Sequence, residues 1–278
     1  MRKSRRFTEI SHGTHKCFTG RRIIGTMHPR AVILPDDGWL DRPDARRTLG
    51  VALTALIGLA LYGYSVGFWR APLMGVFVAV KMPLLVLLTL VCNGLLNGLL
   101  GILLGTGLGF RQSLLALLSA FAVAGLILGS LSPVTFMLAW HAPPPDSLQA
   151  NTAHAAYMVT HVLLIGFAGI AANIHLHRLL AGKSPTRAAA TATLLAWLGG
   201  NGFLGAQFSW ILRPFLGSPG LEVQFLRPNP LHGNFYQTMW NSLNRITDGF
   251  AIPALAAILL TIAIPIIFAI PTRNPDEP

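Results

Sequence analysis

His154, His161, His175 and His177 fall in one apolar stretch near the middle of the chain. His161 and His175 are fourteen residues apart, which on a straight helix puts them on nearly the same face, about 21 Å from one another. Imidazoles placed that way could ligate two haems stacked through a membrane. That chemistry needs a matching pair on a second helix, and the other apolar stretches supply His141 alone. Two readings stay open. One is a single haem between His141 and His154 at a membrane edge; the other is a set of interfacial histidines with one packed or hydrogen-bonded His161. No cysteine or carboxylate accompanies these histidines, so a zinc site is not expected, and neither is a resident cofactor.

A second set is built of amides. Asn93 and Asn97 are four apart in one apolar stretch, and Asn173, Asn201 and Gln207 lie in two others. Converging on a cavity, such side chains would line a path for a small neutral or anionic solute. Joined across helix faces, they would instead hold helices together, at roughly 0.6–2 kcal/mol each.

The third set is Trp210, Arg213 and Arg227, with Trp240 further on. Arg213 and Arg227 each precede a proline, which biases both toward extended backbone. An Arg beside a Trp at the end of a span can fork onto a lipid phosphate or bind a partner. It can also serve as an interfacial anchor. No nucleophile–base–carboxylate set can be assembled: Ser209 has no acid near it in sequence, and Glu222 and Asp248 stand alone. Catalysis needs a positioned acid or base, so a non-enzyme is expected and no catalytic residue is assigned.

The elements that carry these residues follow from the distribution of acids. Residues 45–145, 147–221 and 249–275 contain no Asp or Glu, and the chain is 53% hydrophobic and 11% charged. A hydrocarbon core of about 30 Å takes about 20 apolar residues per helix, and helices satisfy their own backbone there. The fold expected is an all-α polytopic bundle of about six spans, at 48–69, 84–104, 114–140, 154–176, 188–212 and 250–270. Residues 73–80 read as an interfacial turn of helix, with Lys81 snorkelling to headgroups and Pro83 opening the next span. Pro133 is expected to kink or weaken the third. Tyr62, Tyr64 and Trp69 read as an interfacial aromatic cluster. Glycines at 94, 98, 101 and 105, and at 199, 200, 202 and 205, suit close helix packing.

The large loop 213–249 holds an amphipathic stretch from Asn234, with Phe235, Met239, Leu243 and Ile246 on one face, expected to lie in the membrane surface or to pack on the bundle. Residues 1–47 read as a basic disordered tail and 271–278 as a short C-terminal tail. No cleavable signal peptide is read at the start, and Met27 is a second plausible initiator beside Met1.

The formal net charge is +11, yet eleven of the 21 Lys and Arg precede the first span. That placement fits a cytoplasmic end by the positive-inside rule and attraction to anionic lipid rather than binding of nucleic acid. Both termini are therefore expected in the cytoplasm, in a bacterial inner membrane. Cys17 and Cys92 lie in the tail and in a span, which implies no disulfide.

Residues 77–134 carry Lys81-Met82-Pro83-Leu84-Leu85, Gly109-Phe110-Arg111-Gln112-Ser113-Leu114 and Ser132-Pro133-Val134. This stretch resembles the Yip-type family of small polytopic membrane proteins. FLGAQFSWILRPFLGSPGL, followed by FLRP and GNFY, resembles a group of bacterial membrane proteins without an assigned activity. The Yip-type resemblance implies a membrane adaptor. The expectation is a non-enzymatic scaffold or subunit of a membrane assembly, its partners being lipids and other membrane subunits or itself. A solute transporter or channel is the alternative, and a haem-binding subunit the remoter one.

Overall fold

The computed structural model describes residues 37–238 and Trp240. All regular structure among them is helical. A short helix, α1 (Asp37–Asp41), precedes five long ones: α2 (Ala45–Phe68), α3 (Pro72–Leu103), α4 (Phe110–His141), α5 (Ala150–Lys183) and α6 (Arg187–Ile211). Helices α2 to α5 are each long and apolar enough to cross a membrane, which makes this an integral membrane protein. Helix α6 has 25 residues but is not among those four. The sixth expected span, 250–270, and most of the amphipathic stretch lie outside the described residues.

Local chemistry sets the helix ends. Asp44 caps α2 by accepting from the Arg47 N–H at 3.1 Å, and Thr186 caps α6 through Ala189 N–H at 3.1 Å, each filling one orphan donor. Pro72 opens α3, where its missing N–H costs nothing. The turn from α3 to α4 uses Gly105 and Gly107 at φ of 79° and 70°, a left-handed backbone that favours glycine.

Residues 73–80 are not a separate interfacial turn, because α3 runs unbroken through them and through Pro83. Its 32 residues extend about 48 Å, more than the hydrocarbon is thick, so it must tilt or project. Lys81 does not snorkel; it is completely buried. Helix α4 likewise continues through Pro133. The carbonyl that Pro133 cannot bond, that of Gly129, instead accepts from the Ser132 hydroxyl at 2.7 Å, the side-chain repair that lets a span tolerate proline. Helix α5 extends to Lys183, beyond the end at 176 expected for the fourth span.

Residues 37–47 are folded rather than a disordered end. Trp39 and Leu40 are buried in the same core cluster as Val51, Leu115, Leu180 and Trp197. Asp41 ties this segment down, accepting from Lys183 at 2.6 Å and from Gln112 at 2.9 Å. The interfacial aromatic cluster also changes membership. Tyr62 and Trp69 are buried, while Tyr64, Phe68, Phe136 and Trp140 form a ring ladder between α2 and α4.

The closest helix contact joins α2 to α4 backbone to backbone. A Cβ at Gly58 would lie 2.0 Å from the Gly125 carbonyl oxygen, one at Gly125 2.8 Å from that of Ala55, and one at Gly129 2.8 Å from Gly58 Cα. Gly94 and Gly98 do pack closely, against Leu114 and Phe110. Gly199 and Gly202 meet no described atom within 4 Å. The small residues that matter most are thus in α2 and α4.

Gly58→Ala is expected to destabilise the bundle by about 1–3 kcal/mol, because backbone must move to admit the methyl. Gly166→Ala, where an added Cβ meets nothing within 4 Å, should be neutral or stabilising by up to about 1 kcal/mol. Unfolding titrations in mixed micelles measure both, and equal stability of the two variants would contradict the packing. The hydrogen bond from Lys183, opposed in part by desolvation, holds the Asp41 carboxyl below the usual carboxylate range. Its support of α1 is therefore complete above an unfolded value of about 3.9 and is lost as pH falls through the lower folded value. Asp41→Asn should speed amide exchange in α1 at neutral pH and remove that acid dependence.

Candidate functional site

Three groups of polar side chains lie inside the bundle. The first joins α2, α4 and α5. The Tyr62 hydroxyl and His161 Nδ1 are 2.7 Å apart, and the Tyr157 ring packs edge-on to the imidazole at 4.3 Å between centroids. Tyr157 donates to the Ser65 carbonyl at 2.7 Å. The Ser65 hydroxyl in turn lies 2.6 Å from that of Thr135. In either tautomer one ring nitrogen of His161, Nε2, is buried and faces no partner.

This places the histidines apart from one another. His161 is fixed by tyrosine, while His175 meets the Ser119 hydroxyl at 3.2 Å. His141 bonds the Met137 carbonyl of its own helix at 2.8 Å, and His154 packs beside Trp69. His177 reaches Thr191 on α6 at 3.2 Å. No group of three His, Cys, Asp or Glu side chains among the described residues is arranged to hold a metal ion. His161, His175 and His177 thus serve as hydrogen-bonding links between helices.

The second group joins α3 to α6. Asn93 and Asn97 are both fully buried and both direct Nδ2 to Asn201 Oδ1, at 2.8 and 3.5 Å. Three of the five amides therefore converge, on one another. Asn173 turns back to the Gly169 carbonyl of its own helix at 2.8 Å, and Gln207 accepts from Phe235 N–H at 3.3 Å. The Asn93 and Asn97 Oδ1 atoms are buried without a partner. Thr193 and Trp197, two turns and one turn before Asn201 on α6, also keep buried polar atoms unpaired.

The third group sits at the far end, where the segment after α6 folds back on the bundle. Arg213 Nη1 donates to the Trp210 carbonyl at 2.7 Å, and its guanidinium stacks 3.7 Å from the Trp210 ring centre. The bond to Pro214 is cis. Burial, with a smaller contribution from the charge of Arg227, lowers the Arg213 pKa from its ordinary value. Trp210 donates to the His232 carbonyl at 3.4 Å, and Tyr236 bonds the Phe203 carbonyl while stacking on its ring. Asn234 accepts from Gln237 N–H at 2.7 Å, capping the start of a helical turn; Trp240 is exposed.

Lys81 completes this end. Its ammonium donates to the Pro214 carbonyl at 2.7 Å and lies 5.1 and 5.8 Å from the Phe225 and Phe215 ring centres. Arg70 clamps the same segment from the turn between α2 and α3, donating to the Ser218 and Leu221 carbonyls at 3.2 and 2.9 Å. Sequence reasoning singled out Trp210, Arg213 and Arg227 but gave Lys81 to the headgroups. It also missed Ser65, Thr135, Tyr157 and Ser119. Their partners are between 56 and 92 positions away, and nothing in local spacing signals such a pairing. A burying partner for Lys81 could have been sought from the excess of Phe and Pro in 214–230.

The chain matches no protein-family model, no curated protein and no solved structure.

Tyr62→Phe should leave both ring nitrogens of His161 unpaired and cost about 1–2 kcal/mol of bundle stability. Adding His161→Phe should then cost less than it does in the wild-type background. Additive losses in that double-mutant cycle would show that the pair is not coupled.

Proposed function

We propose that this protein is a non-enzymatic, multi-pass scaffold or subunit of a larger membrane assembly. The observation that carries the reading is how its intramembrane polar groups are used. Tyr62, Tyr157, Ser65, Ser119, Asn93 and Lys81 each reach across to another helix or to the returning segment. Such cross-links make a rigid body and leave its outer faces for contact. Within the most apolar windows of α3 and α5, 22% of residues are buried, against 44% for α2 and α4. The open face of α3 carries Leu87, Val91, Leu95 and Leu99 at helical spacing, fit for lipid or another helix. The Yip-type resemblance of residues 77–134 leans toward the same adaptor role. A bacterial inner membrane with cytoplasmic termini is the setting we assign from the basic N-terminal segment.

A solute path is the second reading. Its support is the pair of buried, unpartnered oxygens of Asn93 and Asn97, which hydrocarbon makes costly unless something visits them. Asn93→Leu would abolish uptake of such a solute and leave a scaffold's partners in place.

Cys92 is exposed on α3 and serves as a native probe once Cys17 is replaced by Ser. In membranes, a bifunctional thiol–photoreactive reagent at Cys92 should yield one defined protein adduct, to a second copy or to a co-purifying subunit in fixed ratio. Mild-detergent preparations that stay monomeric and partner-free, with adducts to lipid alone, would overturn the scaffold reading.

A further inference from the structure

A groove of about 590 Å³ runs along the outer side of α5 and α6. Its floor includes Gly166 and Gly169, where an added Cβ would meet nothing within 4 Å. Its walls are mostly apolar, with Ile170, Ile174 and Leu198 all exposed, and the Asn173 amide among them donates back to the Gly169 carbonyl at 2.8 Å. One end is different, because the groove closes on His177 and Arg178. From Gly166 to Arg178 the helix rises about 18 Å, a path that leads from the apolar middle of α5 to its basic end.

Arg178 is exposed, and no hydrogen bond or ion pair engages it among the described residues. No carboxylate lines the groove. At that end of the bundle, Asp41 is already bonded to Lys183 and Gln112. An apolar channel with an uncompensated guanidinium at one end is complementary to an amphiphile with an anionic head. A guanidinium forks onto phosphate oxygens with charge-assisted hydrogen bonds.

We infer that the α5–α6 groove is a lateral site for an anionic phospholipid, its phosphate on Arg178 and one acyl chain laid over Gly166 and Gly169. This site is separate from Arg213, which lies at the opposite end of α6 with its guanidinium turned onto Trp210. By the charge distribution the groove opens toward the leaflet that faces the basic segment, where anionic lipids concentrate in a cytoplasmic leaflet. The inference needs the membrane placement and does not depend on the scaffold role.

The test uses the full chain in mixed micelles with phosphatidylglycerol and phosphatidylcholine, read by native mass spectrometry. Wild type should retain phosphatidylglycerol about tenfold better, because phosphatidylcholine offers the same phosphate beside a quaternary ammonium that cancels its net charge and is repelled by the guanidinium. Arg178→Gln should abolish that preference. Gly169→Leu, which fills open space, should lose the retained lipid while its melting temperature stays near wild type. Arg213→Gln should leave the preference intact. Equal retention of the two lipids by wild type, or full phosphatidylglycerol retention in Gly169→Leu, would overturn the site. So would a photocrosslinker at position 169 that captures residues 241–278 or a second copy instead of lipid.

Discussion

Hydrocarbon gives a buried hydroxyl, amide or ring nitrogen no water to bond, and the way the long helices are joined follows from that constraint. Polar side chains inside the bundle are spent on one another or on a neighbouring carbonyl. Tyr157 finds the Ser65 carbonyl and Tyr62 finds His161, so α5 is fixed to α2 at two heights. Ser65 and Thr135 add α4 to the same knot. Where a proline frees a carbonyl, a serine one residue away supplies the missing donor. The atoms left over, such as His161 Nε2 and the Asn93 and Asn97 oxygens, are the points where this accounting stays open.

These bonds are short because the backbones come close. Gly58, Gly125 and Gly129 let α2 and α4 approach until a methyl group cannot fit, and dispersion between closely packed backbones is the main attraction available between helices in lipid. The hydroxyls of Ser65 and Thr135, on the same two helices, then lie within reach. The returning segment obeys a related rule. Buried Lys81 has one carbonyl acceptor and two aromatic faces, and a desolvated cation gains most from such faces. The path of residues 214–227 is shaped around that ammonium and around the Arg70 clamp.

The two ends of the bundle are built differently. At one end α1 inserts Trp39 and Leu40 into the core and Asp41 links α4 to α5. At the other, aromatic rings, prolines and arginines close over α2, α3 and α6 without an ion pair among the described residues. Between them α3 and α5 leave broad apolar sides outward. A rigid interior with distinct ends and open flanks suits a body that others bind against.

Membrane insertion was determined by the sequence itself, because long stretches without Asp or Glu admit one solvent and helices are the spanning form that satisfies their own backbone. The positions of α2, α4 and α6 were legible to within a few residues for the same reason. Trp210 and Arg213 could be paired because they are one helical turn apart. Tertiary structure alone decided the rest. Pro83 reads as a helix start until a carbonyl at Pro214 and two phenylalanines bury the Lys81 beside it inside one continuous helix. Tyr62 and Trp69 read as interfacial aromatics until His161 and the Pro143 carbonyl take their polar atoms into the core. Trp39 and Leu40 lie in a stretch that looks like tail, and only α4 and α5 together give them a surface to bury against. Hydropathy records what a segment dissolves in; which face meets which depends on partners tens of residues away, and a linear pattern does not carry that.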